Sequence, residues 1–194
     1  MSAPPPPDAA HFAPESAPAR ADLRLKVDTA AERLAARRKL AESIGTDDQS
    51  LLDRIEQLGF TGDTVKALDV LPLVHVAWAD GKVQAKERAA VLSVLDRRGV
   101  APGSQASLFV EALLEKRPSE SYLAESLFLL KDLASRSGTD VSDLVDLCAR
   151  VAEASGGLFG LRESTNDAEQ KLIGKIAEAL GEGAVERFKT RFRE

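Results

Sequence analysis

The stretch Ala79-Asp80-Gly81-Lys82-Val83-Gln84-Ala85-Lys86-Glu87 lies between two apolar helical runs, and its reading decides the fold. Gly81 is suited to the left-handed conformation that ends a helix, which a β-carbon disfavours. Val83 can then fold back onto a core, and Glu87 falls near the positive N-terminus of the next helix, where a carboxylate is favoured. Asp80 runs against this pattern. A negative charge at a helix C-terminus costs about 0.3–1 kcal/mol, so backbone N–H groups across the turn or a cation must offset it. A looser copy follows after residue 150: Ala154-Ser155-Gly156 matches Ala79-Asp80-Gly81, and Glu169 opens its helix as Glu87 opens its own. The pattern predicts two related helix–turn–helix units with further helices packed around them.

Outward from this centre, the apolar run Leu68 to Trp78 predicts the most buried helix, spanning about 63–79, with a kink or a start near Asp69 because Pro72 removes a helical N–H. Upstream, Thr46-Asp47-Asp48-Gln49 reads as a capping box before a helix through Leu58. Downstream, helices are expected over 85–98, 103–116 and 119–136, then from a Thr139 or Asp140 cap to Ala154. Asn166 is expected to cap a helix over 167–180 with Glu169 as its partner, before a short last helix ending near Phe192. No segment shows strand alternation bounded by hairpin turns. The fold class is all-α, with the compact domain over 46–194.

Two segments precede that domain. Residues 1–20 contain six of the nine prolines among Ala and Ser, which predicts an extended, disordered tail. Residues 21–45 form a basic amphipathic helix, with Leu23, Val27, Ala30, Ala31, Leu34 and Ala35 recurring at three or four residues before Gly45. The periodicity leaves open whether this helix docks on the body or stands apart.

Composition narrows the function. Hydrophobic residues are 44% and charged residues 29%, an ordinary globular balance. Net charge is −5, but residues 20–43 hold seven Lys/Arg against four Asp/Glu, whereas residues 44–181 hold 15 against 22. An acidic body is a poor partner for nucleic acid, whose phosphates need clustered cations. Cys148 is the single cysteine, so no internal disulfide forms and a reducing, cytoplasmic setting is expected. No run of about 18 apolar residues exists to span a membrane, which leaves peripheral association open.

The order of apolar helix, Ala-Asp-Gly-x-Val, short gap and helix-opening Glu resembles the signature of the tellurite-resistance TerB-like family, over about residues 48–181. The resemblance implies an all-helical domain built on two pseudo-repeated helix pairs. It also implies a bacterial tellurite-resistance or stress-response setting, acidic residues suspected of binding metal, and no secure enzymatic reaction. Asp80, Gly81 and Glu87 match the first signature. In the second, Ser155 replaces the expected Asp, and seven extra residues separate Gly156 from Glu169. Serine accepts a turn hydrogen bond but brings no charge to a cation. The substitution therefore fits a structural, turn-and-cap role for this corner better than a paired metal role; the candidate ligands of a divalent cation remain Asp80 and Glu87, with Asp167 and Glu169 as their nearest equivalents in the second unit. Gly81 and Gly156 are the turn residues.

Other residues carry weaker signals. His75 sits one turn before Asp80 and reads as a buried, hydrogen-bonded histidine; with no ordered second histidine, zinc would need carboxylates or Cys148. Cys148 and Trp78 read as core residues. Residues 155–160 lack the lysine and hydroxyl of a phosphate loop, although Leu158 and Phe159 are candidate partner contacts. The expected function is a non-enzymatic adaptor in a stress-response or envelope-linked pathway, acting through protein partners. The alternatives are a structural component of a larger assembly, and an enzyme using the four carboxylates beside the 155–165 loop.

Overall fold

The computed structural model describes residues 17–154 and 163–192. Among these, every regular element is helical: α1 (Ala17–Ile44), α2 (Gln49–Gln57), a 3-10 turn (Val65–Val70), α3 (Leu71–Ala77), α4 (Ala85–Arg97), α5 (Gln105–Glu115), α6 (Glu120–Ser137), α7 (Asp143–Ala154), α8 (Glu163–Leu180) and α9 (Glu182–Phe192).

The centre is α3. All seven of its residues are buried, as expected of a helix apolar on every side. Pro72 splits the expected 63–79 helix: the approach winds as a 3-10 turn, and Pro72 stands in the first turn of α3, where its missing N–H costs nothing. Around α3 pack α4, α5, α6, α7 and α8, with α7 making the broadest contact. The first helices of the two pseudo-repeats thus lie against each other. Each second helix, α4 or α8, packs on α7.

Several boundaries differ from the sequence expectation. The cap of α2 is Asp48 rather than Thr46. The Asp48 Oδ1 accepts N–H bonds from Ser50 (3.0 Å) and Leu51 (3.2 Å), while its other oxygen meets Arg136 of α6 at 3.0 Å. That distant arginine favours the charged residue. Asp140 accepts from Ser142 N (2.8 Å) and Ser142 Oγ (3.0 Å) without capping α7, which starts at Asp143. Helix α8 begins at Glu163, so Asn166 lies inside it; the last glycine before it in the sequence is Gly160, and no residue in 163–165 is a helix breaker. Residues 17–20, assigned to the tail, are the first turn of α1, where Pro18 is tolerated. The rest of that tail, residues 1–16, lies outside the described residues.

Helix α1 is divided in use. Its last two turns dock: Leu40 is 1% exposed, and Ala41 and Ile44 pack on the core. Arg37 reaches Asp53 (2.6 Å) and Glu56 (2.7 Å), and Lys39 reaches Asp63 at 2.6 Å. The backbone of α1 also runs close over Gly62, whose carbonyl accepts from Ser43 Oγ at 3.1 Å. A Cβ on Gly62 would lie 2.8 Å from the Lys39 carbonyl carbon. Residues 18–36, roughly 28 Å of helix, are exposed apart from partly covered Thr29. Leu23 (52%), Val27 (58%) and Leu34 (57%) face solvent.

Candidate functional site

The corner between α3 and α4 is built by local hydrogen bonds. Trp78 closes α3, and its indole Nε1 donates to the Leu113 carbonyl at 2.9 Å, fixing the helix end to α5. Gly81 takes φ +91° and its N–H bonds the Trp78 carbonyl at 2.9 Å. Helix α3 itself stops at Ala77, earlier than the Gly81 stop expected from sequence, and Gly81 makes the turn beyond it in a left-handed conformation that a β-carbon would strain. Asp80 is exposed, and its Oδ1 accepts the Lys82 N–H at 3.1 Å. That bond is the backbone group across the turn that offsets its position at a helix C-terminus.

Glu87 is 1% exposed. Its Oε2 accepts the Gln84 N–H at 2.7 Å, the reciprocal half of a capping box, whereas its Oε1 is buried without a partner. Burial pushes the carboxyl up to about 6, the Gln84 bond opposes that, and the Asp80 charge adds to the rise. On α3, before the corner, His75 is 7% exposed and its Nε2 is also buried without a partner, in contrast to the satisfied histidine expected from sequence. Burial, then the Arg117 charge, lowers it to about 4, so it is neutral at physiological pH.

In the second unit, Asp167 is exposed and Glu169 is 4% exposed. The opening residues Glu87 and Glu169 are therefore both buried acids, although the earlier start of α8 places Glu169 deeper in its helix than Glu87 is in α4. Gly156, Leu158 and Phe159 lie outside the described residues. Among those described, no three His, Cys, Asp or Glu side chains are placed to hold a metal ion. Asp80 and Glu87 each commit an oxygen to a backbone N–H. The pair alone falls short of the six to eight oxygens a calcium ion takes. Cys148 is fully buried and its thiol is pushed far up by desolvation, a packed side chain rather than a nucleophile.

Sequence reasoning missed a second polar group. Arg98, at the end of α4, forms ion pairs with Asp69 and, at 3.3 Å, with Asp143. The three border a groove of about 350 Å³ floored by Leu130 and Leu133. Burial raises the Asp69 carboxyl and Arg98 opposes the rise. Asp69 Oδ1 is buried without a partner. These residues stand far apart in the chain, so no local pattern announces them.

No curated protein and no solved structure matches the chain. The family model for tellurite resistance protein TerB matches residues 67–191. That range starts later than the resemblance at 48 and runs further than 181: it takes in α9 and leaves out α1 and α2. Even so, α2 is part of the packed body, with Leu51, Leu52 and Ile55 buried. The α3–α4 corner, its degenerate second copy and a match over more than half of the sequence place this chain in the TerB family.

Proposed function

We propose that the protein is a non-enzymatic interaction module, in which a TerB body carries α1 as the element that engages a protein partner in a bacterial stress-response or envelope-linked pathway of the cytoplasm. The observation that carries this reading is the exposed apolar side of residues 18–36, on a helix anchored only by its last turns. Four large apolar side chains of this one helix, Leu23, Leu25, Val27 and Leu34, are more than half exposed. A catalytic reading lacks support of that kind, since the corner carboxylates cap backbone and the thiol is buried. A scaffold in a larger assembly would use the same helix and would differ in forming a stable stoichiometric complex.

The test is affinity capture with the full chain and with a form lacking residues 1–36. Cutting further would remove Leu40 from the core. The proposal expects partners to be lost while the melting temperature holds. Retention of the same partners would move the interface to the body, and absence of any reproducible partner would remove the adaptor reading.

A second reading is favoured by one observation, the unpartnered Oε1 of Glu87. A divalent cation shared by Asp80 and Glu87 alone, since Asp167 and Glu169 are not grouped with them, would stabilise the fold by RT ln(1 + [L]/Kd). The turn-and-cap role predicts no change in melting temperature with Ca²⁺, Mg²⁺ or Zn²⁺. A saturable rise that Asp80→Asn abolishes would establish the metal instead.

A further inference from the structure

The exposed part of α1 has an order finer than amphipathicity. Leu23, Val27, Ala30, Leu34, Arg37, Ala41 and Ile44 follow one another at spacings of four, three, four, three, four and three. That is the a/d spacing of a coiled-coil heptad, with Val27, Leu34 and Ala41 at a and the others at d; the a position before Leu23 is Arg20, so the apolar seam of the exposed part runs from Leu23 to Leu34 and Arg37 closes it. The lower end of the seam is already used: Arg37, Ala41 and Ile44 are the residues that meet α2 and the core. The upper end, Leu23 to Leu34, continues the same line into solvent with nothing packed on it among the described residues.

The flanks of the seam carry the decisive information. The e and g positions from 24 to 38 are Arg24, Lys26, Ala31, Arg33 and Arg38, so every charge beside the seam is positive. Asp22, Asp28 and Glu32 fall on the outer b, c and f positions. Lys26 leans on Asp22 at 2.7 Å along its own helix, and both side chains are largely exposed. Cationic flanks repel a second copy of α1. In a parallel pair Arg33 would face Arg38, and in an antiparallel pair each flank would face itself. A membrane surface is also a poor match, because α1 contains no aromatic residue and its exposed stripe is narrow and alanine-rich. Small residues at Ala30 and Ala31 instead allow a second helix to approach closely.

We infer that residues 23–36 of α1 form a half-coiled coil that receives an amphipathic helix with acidic flanks from a partner protein. This rests on the adaptor reading and names the chemistry of the partner. The incoming helix would bury Leu23, Val27 and Leu34 and set Glu or Asp opposite Arg24, Lys26 and Arg33. Such flanking pairs select the partner and its orientation more than they add affinity.

The experiment titrates the full-length protein into a labelled four-heptad peptide with Leu and Ile in its seam and Glu at e and g, followed by fluorescence anisotropy. The inference predicts saturable binding that weakens with salt, at least about tenfold weaker binding to the same peptide with Lys at e and g, and an about tenfold loss on Leu34→Glu. Leu25 supplies the control: it is 66% exposed but stands at f, away from the seam. Leu25→Glu should change affinity less than about twofold. Equal binding of the Lys peptide, or equal loss from Leu25→Glu and Leu34→Glu, would overturn the inference. So would binding of the protein to phosphatidylserine vesicles or its self-association, either one abolished by Leu34→Glu. If deletion of residues 1–36 removes captured partners but the acidic peptide does not bind, this inference falls and the adaptor reading stands.

Discussion

Glu87 and His75 show what a buried ionisable group does to a helical core. Glu87 stands at 1% exposure with its carboxyl raised from 4.5 to about 6. The charged form is therefore penalised in the folded chain: the penalty is complete above about pH 6 and vanishes below pH 4.5. At about 1.4 kcal/mol per pH unit of displacement, it amounts to about 2 kcal/mol at neutral pH. Glu87→Gln keeps an oxygen for the Gln84 N–H and removes the charge. The stability difference between variant and wild type should then shift by about 2 kcal/mol in favour of the wild type as pH falls from about 7 to 4.5. Urea unfolding at several pH values measures it, and a difference that does not change with pH would contradict the assignment. His75 acts in the opposite sense, because its pKa is lowered from 6.5 to about 4. Its stabilisation is present above pH 6.5 and is lost as pH falls toward 4, equally in both proteins, so it cancels in the comparison.

At the scale of elements, local chemistry was legible wherever a residue acts on its own backbone. Gly81 turning the chain after α3, Pro72 dividing a helix and Ser119 capping α6, where its Oγ accepts the Tyr122 N–H at 3.1 Å, all follow from residues acting within a few positions, although α3 stops at Ala77, before the glycine. The choice of Asp48 over Thr46 was not legible, because it depends on Arg136 arriving from α6. The Asp69–Arg98–Asp143 group was hidden for the same reason. The docking of α1 through Gly62 is likewise a meeting of distant segments. Gly62→Ala should force the two backbones apart, since its Cβ would lie 2.7 Å from Lys39 Cγ and 2.9 Å from the Lys39 carbonyl oxygen. Overpacking of this kind costs about 1–3 kcal/mol, and a protein of this size loses about 2–4 °C of melting temperature per kcal/mol. Hydrogen exchange should show the added opening confined to the last turns of α1. Unchanged protection of the Leu40 to Ile44 amides would mean that the contact does not hold the helix.

Over the whole molecule, the helices that flank the two related stretches of sequence meet: α3 and α7 pack at the centre, and α4 and α8, which pack on α7, each carry a buried glutamate, Glu87 in the first turn of α4 and Glu169 further inside α8. The all-helical class was readable because periodicity is a property of each segment alone. The division of α1 into a docked end and a free end was not, because one heptad line serves both. The central claim is that the partner meets this free end and not the body. Photo-crosslinking in cells expressing the full-length protein tests it directly, with benzoylphenylalanine placed in turn at positions 27, 34 and 25 of α1 and at the exposed body positions 108 and 128. The account predicts partner adducts from positions 27 and 34, with none from 25, 108 or 128. Adducts arising at 108 or 128 while α1 yields none would contradict it.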